Sequence, residues 1–314
     1  MAHEVEQMFS VGITPWHGLG NRLIEVPTIE EAIQKAGLDW RVSKQPVFLQ
    51  NGGRCPANAL VRESDNSILG VVGLKYQPLQ NIEAFKWFQP FIDSGMVSLE
   101  TAGSLKMGKK VWVLARITGN DISVGGDDDI RRYILLSNTH DGSQAIRIGF
   151  TPVRVVCANT MAYAHNSEAS KLIRVRHTSN AVLALSQIRD VMNTVNSSFE
   201  ATAEQYKYLA SKSINSQDLQ NYVQIVMGYG DKKVEDLSTR AKNQIDNVVN
   251  LFENGIGSDL KTARGTYWGA YNAVTELFTH YTGKSADSRY DSLWFGRNAQ
   301  RNTQALELAV KMAA

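Results

Sequence analysis

With 314 residues, 43% hydrophobic and 20% charged, the chain has the make-up of a folded globule long enough for one large core or two modest ones, and length alone favours two domains. A formal net charge of +2 gives no overall attraction to nucleic acid or membrane, so any such affinity has to come from local clustering. Cys55 and Cys157 stand apart without ligand spacing, which excludes a disulfide framework and a zinc site. No apolar run reaches the roughly 18 residues of a membrane span, and Glu4 and Glu6 argue against a signal peptide, so a soluble protein of the bacterial cytoplasm is expected.

Thr28-Ile-Glu-Glu31 is a capping box and predicts a helix over 28–36, with Gly37 just past its end. From Pro46 the period shortens. Runs at 47–50, 57–62 and 68–74 predict strands, the last two joined as a hairpin by the turn at 63–67. Residues 81–93 predict a helix bent near Pro90. Strands follow at 96–104 and 110–117 across the turn Lys106-Met-Gly-Lys109. The acidic stretch 121–129, with Gly125-Gly126, reads as a surface loop. A second hairpin spans 133–137 and 143–149 across Thr139-His-Asp-Gly142. Thr151-Pro152 reads as an N-cap followed by proline, opening a helix to about His165. Beyond 178 the pattern is helical throughout: a long amphipathic stretch at 181–211, then 216–227, 238–254, 266–281 and 299–313. The expected fold class is α+β, with a mostly antiparallel sheet and packed helices in a domain over 1–177, then an all-helical domain over 178–314.

The stretch 144–176 sets Arg147, Arg154, Lys171, Arg174 and Arg176 against a single acid, Glu168, on a nearly neutral chain. Lys106, Lys109, Lys110 and Arg116 add four cations with no acid between Ser104 and Ile117. Trp112 lies on that strand, and Tyr133 near other cations. Phosphate-tracking cations with aromatics for base stacking are the equipment of sequence-tolerant single-strand binders, and a helix N-terminus at Thr151-Pro152 would add a phosphate site. The competing reading is a solvated sheet face with Trp112 in the core. Trp16-His-Gly-Leu-Gly20 either clamps a ligand or pins the terminus. Asp127-Asp-Asp129 lacks calcium-loop spacing and reads as a turn, and Cys157 between Val156 and Ala158 reads as an inert buried thiol. No paired histidine spacing and no nucleotide loop is present, so no cofactor, no metal and no catalysis are expected. The aromatic block 265–276 serves either an interface or a core.

Three blocks, Trp16-His-Gly-Leu-Gly20, Thr151-Pro-Val-Arg-Val-Val-Cys-Ala-Asn-Thr160 and Gly265-Thr-Tyr-Trp-Gly-Ala-Tyr-Asn-Ala-Val-Thr-Glu276, resemble the phage/plasmid-like proteins of unknown function also found in enterobacterial prophages. The resemblance implies a mobile-element setting and supplies no biochemistry. The order of elements also resembles the β-β-β-α core of single-strand annealing recombinases of the Red-beta and Erf type. The expectation is therefore an oligomeric, ATP-independent DNA-binding protein of a mobile element that binds and anneals single-stranded DNA in recombination. Its partners would be single-stranded DNA and further copies of itself in a ring or filament, with no membrane. The alternatives are a protein-interaction module inhibiting a host defence system and an enzyme whose site gathers Glu276, His280 and Arg289.

Overall fold

The computed structural model describes residues 5–12, 20–119, 121–154, 156, 159–160, 173–187, 191–230, 232–283 and 286–314. The chain is α+β, with sheets first and helices in the C-terminal part. It divides into two compact units, one holding 1–119, 133–150 and 172–192, the other 120–132, 151–171 and 193–314. This division is discontinuous, whereas the expected cut ran between 177 and 178.

In the first unit the main sheet is built from β1 (Val5–Val11), β2 (Asn21–Leu23), β6 (Val97–Leu105), β7 (Lys110–Ile117), β12 (Ile173–Val175) and the parts of β9 (Asp128–Thr139) and β10 (Ile146–Arg154) that lie within 133–150. β6, β7 and β9 form its centre, with β1 and β2 beyond β6, and β10 then β12 beyond β9. Period-two alternation puts Val111, Val113 and Ala115 on one face of β7, all fully buried. A second sheet, β3 (Val42–Phe48), β4 (Arg54–Arg62) and β5 (Ile68–Gly73), is a three-stranded meander. Helix α1 (Ile29–Lys35) begins at the Thr28–Glu31 capping box read from sequence. The helix expected over 81–93 is interrupted at Trp87 and Phe88 into α2 (Asn81–Lys86) and α3 (Gln89–Asp93), because Pro90 is tolerated only in a helix's first turn. α4 (Ala181–Gln187) also belongs to this unit, where its Leu185 carbonyl accepts from Trp87 Nε1 at 2.8 Å.

β5 lies hard against the β9–β10 turn. A Cβ on Gly70 would stand 2.6 Å from the Asp141 Cα, a backbone atom with nowhere to go. Gly70→Ala is expected to cost about 1–3 kcal/mol, as overpacking does, and to lower the urea midpoint without altering the slope. An unchanged midpoint would show that the meander moves freely over the turn.

In the second unit, α5 (Val191–Ala210), α6 (Ser216–Val226), α7 (Thr239–Asn254), α8 (Tyr267–Glu276), α9 (Ala286–Phe295) and α10 (Arg297–Ala313) make a helical assembly. Every residue of α8 is buried. Trp268 and Tyr271 are fully enclosed, with the Tyr206 ring 4.8 Å from that of Trp268. Tyr222 and Tyr208 donate to the Ala305 and Ala313 carbonyls of α10. The polar-tipped aromatics of 265–276 therefore serve the core, the second of the two uses expected of them.

Two expectations are corrected. Thr151–Arg154 continue β10 as strand and open no helix. β12 pairs with Ile146–Ile148 and β11 (Asn159–Thr160) with Val153 and Arg154, so Pro152, which has no N–H to give, falls between the two partners. The acidic stretch 121–129 is a hairpin. β8 (Ile122–Gly125) pairs with the start of β9, and Gly126-Asp127 form its two-residue turn. Among the described residues, no helix is long and apolar enough to cross a membrane.

Candidate functional site

The expected cations divide by burial and by place. Lys106 and Lys109 are half-buried in the β6–β7 turn, where Lys106 and Met107 hold left-handed backbone at φ 55° and 54°. Lys110 is buried and opposite Thr139 in register, and the next residue, His140, donates its N–H to the Lys109 carbonyl. The β9–β10 hairpin closes with Thr139 Oγ1 donating to the Gln144 carbonyl at 2.9 Å. Across β10, Arg147 stands opposite Arg174, and Ile146 opposite Val175. Cross-strand partners share a face, and Arg176, one residue past the end of β12, continues the alternation in which Val175 and His177 are buried. Arg174 and Arg176 are exposed, and Arg147 is half-buried. The Lys106–Lys110 turn and the arginines of β10 and β12 thus lie towards one end of the sheet, two to three strand spacings apart, or roughly 10–14 Å.

The remaining members of the expected set lie elsewhere. Arg116 is at the far end of β7, opposite Tyr133, about 20 Å along the strand from Lys110. Trp112 and Tyr133 are 4% exposed, and the Tyr133 hydroxyl donates to Glu100 at 2.7 Å, so neither ring presents a face for stacking on a base. Arg154 belongs to the other unit and is 1% exposed. Lys171, Cys157, His165 and Trp16–Leu19 lie outside the described residues.

Arg154 is committed to a carboxylate that the sequence reading placed on the surface. Asp128 is fully buried and accepts from Arg154 Nε at 2.6 Å and Nη2 at 2.8 Å, Thr262 Oγ1 at 2.6 Å and Trp268 Nε1 at 2.9 Å. Burial pushes its pKa up. The Arg154 hydrogen bonds and charge, with Thr262 and Trp268, outweigh that and hold the carboxyl below its ordinary range. Nearby, burial raises the pKa of Glu276 against the opposing pull of the Ile256 N–H and Arg154. Arg289 is occupied in part with the Thr282 carbonyl.

A third cluster adjoins the arginines in the first unit. The Tyr76 ring stacks on His177 at 4.6 Å, and its hydroxyl donates to the Thr139 carbonyl at 2.8 Å. His140 is fully buried, with Nε2 2.9 Å from Asn81 Oδ1 and its ring 5.4 Å from that of Trp40. Burial, reinforced by the charge of His177 and opposed by Asp141, drives the His140 pKa down to about 3. Burial takes His177 down to about 4, opposed by the backbone carbonyls of Gln77 and Gln144, which favour the protonated ring. Sequence spacing hid this pairing, since 37 positions separate the two histidines and only the sheet joins them. Among the described residues, no group of three or more potential ligands is placed to hold a metal ion.

The fold and these clusters define an α+β protein with a cationic rim on one sheet and a charged knot in its helical unit. Residues 68–306 match a family described as a domain of unknown function, DUF932, and the chain belongs to that family. No curated protein and no solved structure matches it.

Proposed function

We propose that this chain is a DNA-binding protein of a mobile element that holds single-stranded DNA without ATP and anneals it in recombination, working as a ring or filament of copies. The observation that carries this reading is the register of Arg147 opposite Arg174, with exposed Arg176 continuing the alternation just past β12. Cross-strand partners share a face, so a phosphate lying over this edge of the sheet meets both guanidinium groups at once, and charge-assisted hydrogen bonds to phosphate are among the strong ones. The left-handed backbone of Lys106 and Met107 adds support, because non-glycine residues are strained there and such strain gathers at functional sites. The grip is electrostatic, through Lys106, Lys109, Arg147, Arg174 and Arg176, with no help from Trp112 or Tyr133. The resemblance to phage and plasmid proteins and to annealing recombinases supports the setting and the assembly.

Five phosphate contacts on a single strand give a slope of about −3.5 in log affinity against log salt. Titration of a labelled oligothymidylate at several salt concentrations is expected to show that steepness, and Arg174→Glu with Arg176→Glu is expected to weaken binding tenfold or more at low salt. Absence of binding by the unaltered protein at low salt would overturn the reading.

A further inference from the structure

The β8–β9 hairpin tip forms one wall of a groove of about 550 Å³ in the second unit. Its apolar lining is Val124, Ala210 and Leu260, and at its rim stand Asp127, Lys207 and Lys261. The volume is that of a site for a small organic ligand, since such sites run from roughly 300 to 1,000 Å³.

What sets this groove apart is how its wall is held. Asp128, the residue after the turn, is the buried carboxylate that takes four hydrogen bonds from Arg154, Thr262 and Trp268. A buried ion pair seldom stabilises a fold more than apolar side chains of the same size, so its use here is better explained by position than by stability. It clamps the turn so close to Thr262 that a Cβ on Gly125 would come within 3.0 Å of the threonine methyl. Gly126, at φ 57°, has nothing within 4 Å of where its Cβ would be, which leaves its backbone open to an approaching ligand. A rigid turn of exposed peptide groups, backed by a fully bonded shell, is the build of a preorganised binding wall.

We propose that this groove binds a nucleoside phosphate. The apolar floor takes the face of the base, Lys207 and Lys261 take the phosphate, and the Asp127 carboxylate accepts from sugar hydroxyls or a base amino group. Lys207 is already drawn to Glu204, with 3.0 Å between them, so it is held on the surface and available to exchange partners. The ligand is either a free nucleotide or one unit of a strand, and the two share this chemistry. The site belongs to the helical unit and stands independently of the arginine rim, so either can fail without the other.

The test uses the full chain in isothermal titration with 5′-AMP and 5′-TMP, with adenosine, thymidine and inorganic phosphate as partial ligands. Saturable binding of a nucleotide at sub-millimolar concentration is expected, tighter than either of its parts. Lys207→Glu with Lys261→Glu is expected to weaken it tenfold or more, whereas Lys233→Glu, an exposed charge reversal outside the groove, leaves it unchanged. Displacement of the nucleotide by a short oligothymidylate identifies a strand as the source, and failure to displace it identifies a free nucleotide. Three results would overturn the proposal: no nucleotide binding up to millimolar concentration, phosphate binding as tightly as the nucleotides, or binding indifferent to the double charge reversal in a variant that melts like the parent.

Discussion

Arg154→Leu is expected to be among the most damaging single substitutions in the second unit. It leaves the Asp128 carboxylate fully buried with its countercharge gone and only the Thr262 hydroxyl and Trp268 indole to donate to it. Breaking a buried pair from one side costs about 3–5 kcal/mol. At the unfolding entropy usual per residue, a chain of 314 residues loses about 1.5 °C per kcal/mol, so the melting temperature should fall by about 5–8 °C. The double variant Asp128→Asn with Arg154→Met removes both charges while keeping an acceptor for Thr262 and Trp268, and should recover much of the loss. A single variant that melts like the parent would show the carboxylate to be solvated or protonated. The pH dependence has a definite sign. A carboxyl whose pKa is depressed by folding contributes its stability above its unfolded pKa, near 3.8, and loses it as pH falls through the folded value. At neutral pH the knot is therefore at full strength.

Acid should act earlier, through the first unit. His140 and His177 have folded pKa values of about 3 and about 4 against an ordinary 6.5, so the unfolded chain binds protons there before the folded one does. Stability from these two groups is complete above pH 6.5 and drains away as pH falls towards 4 and 3. By pH 5 each histidine has lost about 2 kcal/mol of its contribution, or about 4 kcal/mol together. Denaturant titrations at a series of pH values should reveal this slope, and His140→Gln should remove about half of it while preserving a partner for Asn81. A flat profile between pH 7 and 5 would mean that the two rings are hydrated in the fold.

These two clusters also mark where sequence reasoning stopped. Elements carried by local chemistry were readable: the Thr28–Glu31 cap, the β4–β5 hairpin, β6 and β7 on either side of their turn, and the helices at 216–226, 239–254 and 267–276. Strands shaped by distant partners were not. β1 and β2 carry no alternation clear enough to be seen. Thr151-Pro152 imitates a helix start because the gap between β11 and β12 that admits the proline is invisible in one dimension. Helix α9 was missed, as its scattered apolar positions do not trace one face. Asp128 looked like a surface acid among three because its partners lie 26, 134 and 140 residues away. Of the expected binding set, sheet register gathers Arg147, Arg174 and Arg176 and brings the Lys106–Lys110 turn to the same end, but it sends Trp112 and Tyr133 inward. Alternation alone cannot say which face of a two-sided sheet is covered.

The discontinuous division of the chain has a consequence for its birth on the ribosome. Asp128 and Arg154 emerge early, but Thr262 and Trp268 follow 134 and 140 residues after the aspartate. At roughly 5–20 residues per second, the nascent hairpin spends on the order of ten seconds with its acid wet and its tip unsupported. The helical unit can set only after residue 268 has emerged, and no single cut between codons separates it as an intact piece from the sheet-bearing unit, because the polypeptide passes back and forth between them.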